Sequence, residues 1–310
     1  MIHQVDNYKI MQSFSLENIP DLNTAVLGSL ELFHKVRLPD ININYNRPLV
    51  VGSGNAEITG RIVFRDKDAV FASESSFEEK LKSIKEIDGV VIISASGGKH
   101  APIIARRSIK YKKPIILITN NSKAEAKKLV DNCFVYPKQR EPYTYNTSSY
   151  LGMILGKTKE NPEVIYDFIQ SEINKINLNI LGNYDKYFLI IPAEFEILKR
   201  MFQIKFIELF GRRIARDVET IEYMKHASTV VPSNELFISF GVDNKFWGKK
   251  ENRTYIPLPK NSDYGTVIAI GYYVIGKIQK SQHPWFKENL VNYVKNASKI
   301  FNSKVEAIVE

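Results

Sequence analysis

The stretch Asp88-Gly-Val-Val-Ile-Ile-Ser-Ala-Ser-Gly-Gly-Lys-His-Ala-Pro102 decides the fold class of this chain of 310 residues. Its apolar run, residues 90–93, is typical of a strand that is buried on both faces of a parallel sheet. Hydroxyl residues, two glycines and the start of a helical pattern then follow, as they do where a strand passes into a crossover helix. The segment therefore predicts an α/β fold in which parallel strands alternate with helices.

The same pattern recurs on both sides of this segment. In the first half it predicts strands at 49–52, 90–94, 115–119 and 133–136, with helices at 57–64, 77–86, 100–111 and 122–129. The order βαβαβαβ is that of an open, doubly wound sheet. In the second half a more degenerate version predicts strands at 187–192 and 236–240 and helices at 194–210 and 265–280.

We therefore predict two α/β domains, each a doubly wound parallel sheet flanked by helices. Residues 1–170 would hold an amphipathic N-terminal helix at 21–37 and the first domain. Residues 171–310 would hold the second domain and a C-terminal helix. The length fits this division, because a typical domain has roughly 150 residues.

Composition excludes several classes of protein. With 44% hydrophobic and 25% charged residues, the chain is not disordered, collagen-like or a disulfide scaffold. Its apolar runs are shorter than the roughly 20 residues of a membrane-spanning helix, and residues 1–20 lack a signal-peptide pattern. The single cysteine, Cys133, cannot form an internal disulfide. We expect a cytoplasmic protein that does not contact a membrane.

The net charge of +9 favours an anionic ligand. The basic residues are scattered singly and in pairs, such as Arg106-Arg107 and Lys112-Lys113, and no zinc-finger, RNP or helix-turn-helix signature accompanies them. We therefore expect a small anionic ligand and no nucleic acid.

Residues 94–99 have the features of an anion site. Gly97 and Gly98 let the backbone approach a ligand, and the start of the following helix offers unpaired N–H groups. Ser94 and Ser96 add hydroxyl groups, and Lys99 adds a positive charge. The position also fits the rule that ligands of open α/β sheets bind beyond the carboxyl ends of the strands. An ordinary strand-to-helix turn would use the same residue types, so that alternative stays open.

A second loop of similar character, Gly52-Ser53-Gly54-Asn55, follows the first predicted strand. It is not a dinucleotide-binding fingerprint, because the third glycine is absent and no acidic residue ends a following strand at the required distance. We expect this loop to pass beneath a small ligand that Ser94 and Ser96 hold, and we predict no cofactor.

Taken together, these residues resemble the SIS (sugar isomerase) domain family. Gly52-Ser-Gly-Asn is similar to the family's first loop, and Ile93-Ser-Ala-Ser-Gly to its Ser-x-Ser-Gly-x-Thr phosphate loop. Ile118-Thr-Asn-Asn is similar to its third strand end, whereas Lys99 stands where the family usually has Thr. The resemblance covers roughly residues 47–290. It implies two tandem SIS domains that bind a phosphorylated sugar. His100 lies in the predicted phosphate loop, where it is a candidate to contact the ligand.

The second half looks like the archaeal phosphoglucose/phosphomannose isomerases and the isomerase domain of glucosamine phosphate synthase. Lys205-Phe-Ile-Glu208 lies on the predicted long helix, and His226 lies in the segment that follows. By this resemblance Glu208 would be the base that moves a proton between C1 and C2 of the sugar, and Lys205 would belong to the same catalytic set. His226 would come from a neighbouring subunit and open the sugar ring, which implies a homodimer with active sites at the interface.

Other interpretations of these residues remain open. Lys205 and Glu208 also fit an ordinary i, i+3 surface pair, and His226 fits an exposed residue without a role. Glu219 and Glu222 are further carboxylates that could take the place of Glu208.

Three other positions bear on the predicted chemistry. His100 and His283 fit either a functional or a surface role, and no two histidines have the spacing of metal ligands, so no metal is predicted. Asn292 stands where the family's active isomerases carry a lysine near the chain end. The sequence therefore predicts an aldose–ketose isomerase of hexose phosphates. A sugar-phosphate deaminase and a non-catalytic sugar-phosphate-binding protein are the alternatives.

Overall fold

The computed structural model describes residues 6–228 and 234–310, which form two compact units. The first-sheet unit consists of residues 36–138 and 148–159. The second-sheet unit consists of the described parts of residues 1–35, 139–147 and 160–310. Each unit contains a parallel β-sheet.

The helices and strands follow in chain order. The helices are α1 (Asn7–Ser13), α2 (Leu22–Lys35), α3 (Asn55–Val63), α4 (Phe77–Ser83), α5 (His100–Ile109), α6 (Thr147–Thr158), α7 (Pro162–Ser171), α8 (Lys199–Phe210), α9 (Ile221–Ala227), α10 (Tyr264–Ser281) and α11 (Trp285–Ile300). The strands are β1 (Pro48–Val51), β2 (Val70–Ala72), β3 (Gly89–Ile93), β4 (Ile115–Thr119), β5 (Asn132–Val135), β6 (Glu141–Pro142), β7 (Lys186–Ile191), β8 (Ala215–Thr220), β9 (Leu236–Phe240), β10 (Arg253–Ile256) and β11 (Ile308–Val309). Among these described elements, no helix is long and apolar enough to cross a membrane.

The first sheet has the strand order β2-β1-β3-β4-β5, and its strands are all parallel. Its central strands are apolar throughout because both faces are covered. Successive residues of each strand belong to two separate cores: Leu49, Val90 and Leu117 lie in one, and Val50, Val91 and Ile116 lie in the other. The α/β class and the parallel sheets flanked by helices are confirmed.

The second sheet has the order β10-β9-β7-β8 and is also entirely parallel. Written as β8-β7-β9-β10, it repeats the arrangement β2-β1-β3-β4 of the first sheet. Helices follow the first two strands of both sheets. The third strands differ, since α5 follows β3 whereas a loop with one short 3-10 turn at Lys250–Asn252 follows β9.

Several predicted elements are corrected by the structure. The helix predicted at 122–129 is only a 3-10 turn, Glu125–Leu129. The long helix predicted at 194–210 starts as a 3-10 segment, Ala193–Leu198, in which Phe195 leaves helical geometry, and becomes α8 only at Lys199. Strands β2, β8 and β10 were missed. They lie at the sheet edges, where a strand need not be a continuous apolar run.

The sequence predicts that the N-terminal helix belongs to the domain of the first sheet, and this prediction is wrong. Helix α2 packs against α10 in the second-sheet unit. The contact is so close that a Cβ atom on Gly276 would clash with the backbone nitrogen of Asn23. Because the chain passes between the units more than once, they do not divide at residue 170.

Candidate functional site

The two predicted loops leave neighbouring strands of the first sheet. Residues 52–54 follow β1, and residues 94–99 follow β3, which pairs directly with β1. In the order β2-β1-β3-β4-β5, the next strand after β1 is added on one side of it, and β3 and the later strands are added on the other side. Such a switch point is where open α/β sheets form their ligand-binding crevice.

Two helices begin at this edge of the sheet without a side-chain cap. The cap residues are Gly54 before α3 and Lys99 before α5, and neither makes a capping hydrogen bond through its side chain. Gly54, Gly97 and Lys99 all have positive φ, at 57°, 58° and 51°. Lysine rarely adopts such a backbone conformation, so the surrounding loop must stabilise it. Uncapped helix N-termini offer backbone N–H groups and the positive end of the helix dipole to an anion.

The serine hydroxyls shape the loop after β3. Ser94 Oγ accepts a hydrogen bond from the Gly97 amide at 3.2 Å, and Ser96 Oγ accepts one from the Gly98 amide at 3.3 Å. Asn121 Nδ2 donates to the Ser96 carbonyl at 3.0 Å and so ties the loop to the end of β4. Each serine accepts in these bonds, so its own O–H remains available for a ligand.

The structure also brings a carboxylate to this edge that sequence analysis missed. Glu74 follows β2, and it accepts a hydrogen bond from the Ser53 hydroxyl. The other oxygen of Glu74 lies 3.8 Å from His100 Nε2. Glu74 was overlooked because β2 was not predicted. A signal was available, since polar residues after a strand are candidates in any parallel sheet.

Lys205 and Glu208 form an ion pair in the second-sheet unit, in which Lys205 is buried and Glu208 is partly buried. The side chain of Lys205 is 0% exposed, which shows that the alternative of an ordinary surface pair is wrong. Its ammonium group donates to the Glu208 carboxylate at 2.7 Å and to the carbonyls of Thr144 and Tyr145 at 3.0 and 2.6 Å. An ammonium group has three protons, so all three have partners within the chain.

The environment of Glu208 suits a general base. Burial raises the pKa of the Glu208 carboxyl, and the charge and hydrogen bond of Lys205 offset part of that rise. Tyr143 and Tyr293 lie close enough for burial and the charge of Glu208 to raise the pKa of each phenol, and their rings are 5.9 Å apart. A carboxyl in such surroundings titrates nearer neutral pH than an exposed one.

Lys205 donates hydrogen bonds to the turn at residues 144–145. Residues 307–309, near the end of the chain, contact the residues just before that turn. Thr144 has a positive φ of 79°, an unusual conformation for a β-branched residue. The Tyr143 amide donates to the Ala307 carbonyl at 2.8 Å, and β6 pairs with β11 in antiparallel fashion. Sequence analysis missed this turn because residues 144 and 205 are 61 positions apart, and no local pattern links them.

The other candidate carboxylates are less suited to act as the base. Glu219 accepts a hydrogen bond from Lys199 at 3.0 Å, and Glu222 is exposed in the first turn of α9. His226 is exposed in the last turn of α9. Within the described residues, no hydrogen bond or ion pair joins His226 to Glu208.

The remaining candidates lie on the surface. His283 faces Glu288 at 2.9 Å, and Asn292 is exposed on α11. No group of three or more His, Cys, Asp or Glu residues in the described part of the chain is placed to hold a metal ion. The structure thus gathers the loop residues within the first-sheet unit and pairs Lys205 with Glu208 in the second-sheet unit.

Comparison with known proteins relates the chain by fold. No family model matches it, and no curated protein matches its sequence. A solved structure of the C-terminal domain of glucosamine-fructose-6-phosphate aminotransferase from Francisella tularensis aligns with a TM-score of 0.60 and 11% identity, covering 87% of this chain and 98% of that one.

Two further solved structures show the same likeness. Glucosamine-6-phosphate deaminase from Thermotoga maritima aligns with a TM-score of 0.57 and 12% identity, covering 84% of this chain and 91% of that one. Tagatose-6-phosphate ketose/aldose isomerase from Escherichia coli aligns with a TM-score of 0.54 and 11% identity, covering 83% and 86%. At such identities the likeness is one of fold.

The buried Lys205 pair leads to a stability prediction. Lys205→Met should lower the free energy of unfolding by about 3 kcal/mol, because it leaves the Glu208 carboxylate and two carbonyls without their donor. The matched control is Lys175→Met, which removes an exposed lysine that also has a glutamate three positions away, 3.1 Å distant. The control should change stability by no more than about 0.5 kcal/mol. Urea denaturation measures both, and equal effects would contradict the prediction.

Proposed function

We propose that this chain, which has the fold of the SIS (sugar isomerase) proteins, binds a phosphorylated sugar and interconverts its aldose and ketose forms. One observation carries the binding part of the proposal: two uncapped helix N-termini meet at the switch point of the first sheet. Serine hydroxyls surround one of them. The three solved structures of this fold described above bear names that refer to hexose or hexosamine phosphates.

The phosphate group is held by the loop after β3. Backbone N–H groups at the start of α5 and the hydroxyls of Ser94 and Ser96 donate to its oxygens, and Lys99 supplies charge. Gly97 permits the positive φ that the backbone of this loop has at residue 97. The loop of Gly52, Ser53 and Gly54 forms the neighbouring wall, and His100 lies at the same helix start.

Both sheets are SIS domains in this proposal. Its support is the strand order of the second sheet, which repeats that of the first. Helix α8, which carries Glu208, follows the first strand of its sheet as α3 follows β1. The loop after β9 has no helix comparable to α5, which supports a phosphate site in the first sheet only.

Glu208 acts as the base of the isomerisation. It removes the proton from C2 of the open-chain aldose and returns it to C1 through an enediol, while a proton passes between the two oxygens. Burial raises the pKa of the carboxyl and so makes it a stronger proton acceptor than an exposed glutamate. Lys205 is a positioning residue, because its protons are already bound by Glu208 and two carbonyls.

Phosphate binding is tested at Ser96. Ser96→Ala should weaken binding of glucose 6-phosphate or fructose 6-phosphate about tenfold, because a hydrogen bond to a charged group is lost. The control is Ser83→Ala, an exposed serine at the end of α4 whose hydroxyl bonds only to backbone carbonyls. Titration calorimetry measures both. Unchanged affinity for Ser96→Ala would remove this loop from the site.

The base is tested at Glu208. Glu208→Gln keeps size and hydrogen bonding but cannot take a proton, so exchange of the C2 proton with solvent should fall by roughly 10²-fold or more while binding persists. Glu222→Gln, an exposed carboxylate on α9, is the control and should retain exchange. The reverse result would assign the base to Glu222. A wild-type protein that binds hexose phosphates but never exchanges this proton would favour the non-catalytic alternative.

His226 is proposed to serve the active site of a second copy in a homodimer. The support is its exposed position on α9, with no bond to Glu208 in its own chain. Glu208→Gln and His226→Asn should each be inactive alone. Mixed in equal amounts and allowed to exchange subunits, they should regain about a quarter of wild-type activity, because half the dimers are mixed and each has one intact site. A mixture that stays inactive, or a monomer by light scattering, would contradict this assembly.

A further inference from the structure

We infer that the first-sheet unit carries a surface that binds the phosphate backbone of a nucleic-acid duplex. The inference goes beyond the proposed function, because the surface lies outside the loop at residues 94–99 and does not depend on a sugar phosphate. It also departs from the expectation, drawn from the sequence, that the chain binds no nucleic acid.

The net charge of the chain is not shared between the two units. The first-sheet unit has 20 Lys and Arg against 11 Asp and Glu, whereas the second-sheet unit has 23 of each. The whole net charge of +9 therefore belongs to the first-sheet unit. Within it, residues 103–113 and 122–128, which we call the basic face, contain eight Lys and Arg and a single carboxylate, Glu125.

The fold brings the two parts of the basic face together. Residues 103–113 include most of α5, and residues 122–128 lead into the 3-10 turn Glu125–Leu129, which packs against α5. Both elements cover the same side of the first sheet, because apolar residues of each lie in one core. Seven of the eight basic side chains are exposed, and Lys113 is partly buried. Charges that are scattered along the sequence thus form one continuous surface.

Carboxylates neutralise only the two arginines of the basic face. Arg106 pairs with Glu125 at 2.6 Å, and Arg107 pairs with Glu78 of α4 at 3.2 Å. Among the described residues, no carboxylate forms an ion pair with the six lysines of this face, which are Lys110, Lys112, Lys113, Lys123, Lys127 and Lys128. A polyanion that binds these lysines gains affinity from the counterions that it releases.

The electrostatics of a helix explain only some of these charges. Basic residues near the end of a helix are stabilised by its dipole, and this applies to Arg106, Arg107 and Lys110 at the end of α5. It does not apply to Lys112, which lies beyond the helix and has a positive φ of 53°. Glycine or asparagine adopts this conformation with less strain than lysine does. The chain thus has a lysine at a position whose backbone favours other residues.

The composition of the basic face favours a duplex over a single strand. A duplex carries one negative charge per roughly 1.7 Å of its axis, and lysines bind its phosphates without reading the bases. Proteins that bind single strands also need exposed aromatic rings on which the bases stack. The aromatic residue of the basic face, Tyr111, is partly buried and donates a hydrogen bond to Glu78 at 3.4 Å. It is therefore not free to stack on a base.

The basic face also differs from a helix that binds a membrane surface. Such a helix presents a continuous apolar side to the lipid. The exposed large apolar residues of the basic face are Ile103 and Ile109. They are six positions apart, which places them on different sides of α5 at 3.6 residues per turn. The basic face therefore offers charge to a partner but no apolar stripe.

The experiment measures duplex binding by the full chain. Fluorescently labelled DNA and RNA duplexes of mixed sequence are titrated with the protein, and anisotropy is followed from about 50 to 200 mM salt. The face variant combines Lys110→Gln with Lys128→Gln, one from each part of the basic face. The control variant combines Lys249→Gln with Lys295→Gln, which removes two exposed lysines of the second-sheet unit and gives the same net charge. Thermal unfolding shows that both variants are folded.

The wild type should bind at least one duplex, with an affinity that falls steeply as salt rises. The face variant should bind about tenfold more weakly, and the slope of log affinity against log salt should become shallower by about 1 for each lost phosphate contact. The control variant should bind as the wild type does. Equal affinities for the two variants would show that the position of the charges is irrelevant and would overturn the inference. Tighter binding to a single strand, to phosphatidylserine vesicles or to polyglutamate than to either duplex would also overturn it, as would no duplex binding at about 50 mM salt.

Discussion

The arrangement of the second-sheet unit around Glu208 depends on the three hydrogen bonds that the buried ammonium group of Lys205 donates. A charged side chain can be fully buried only where every proton has an acceptor, and here two backbone carbonyls and one carboxylate serve. The carbonyls belong to a turn in which Thr144 has positive φ, and β11 pairs with the strand just before that turn. Lys205 thus links Glu208 to a turn with an unusual backbone conformation, and that turn is next to the strand that pairs with β11.

The first sheet offers backbone groups to an anion, whereas the second-sheet unit surrounds a buried charge with acceptors. Its candidate anion site consists largely of backbone, namely the N–H groups at the starts of α3 and α5. Such a site depends on where strands end and helices begin, and less on individual side chains. Lys99 can stand at the start of α5 although its side chain makes no capping hydrogen bond there. Side chains matter at the rim, where Glu74 brings a negative charge to an edge suited to anions.

The predicted fold was right for the central strands of the sheets and incomplete at their edges. The apolar runs of β1, β3 and β4 predicted buried parallel strands, and both loops lie where those strands end. Edge strands such as β8 carry polar residues on exposed positions, so their pattern is hard to separate from that of a loop. Missing β2 also meant missing Glu74. Helix α2 was recognised, but its partner α10 lies over 200 positions away.

The sequence by itself determined the α/β class, the buried central strands and the glycine and serine loops, because each depends on neighbours within a few positions. It also identified Lys205 and Glu208 as a pair three residues apart on a helix. Only the tertiary structure decided that Lys205 of this pair is buried rather than exposed. The acceptors that make burial possible, the carbonyls of Thr144 and Tyr145, lie 61 and 60 positions away, and only folding brings them to the lysine.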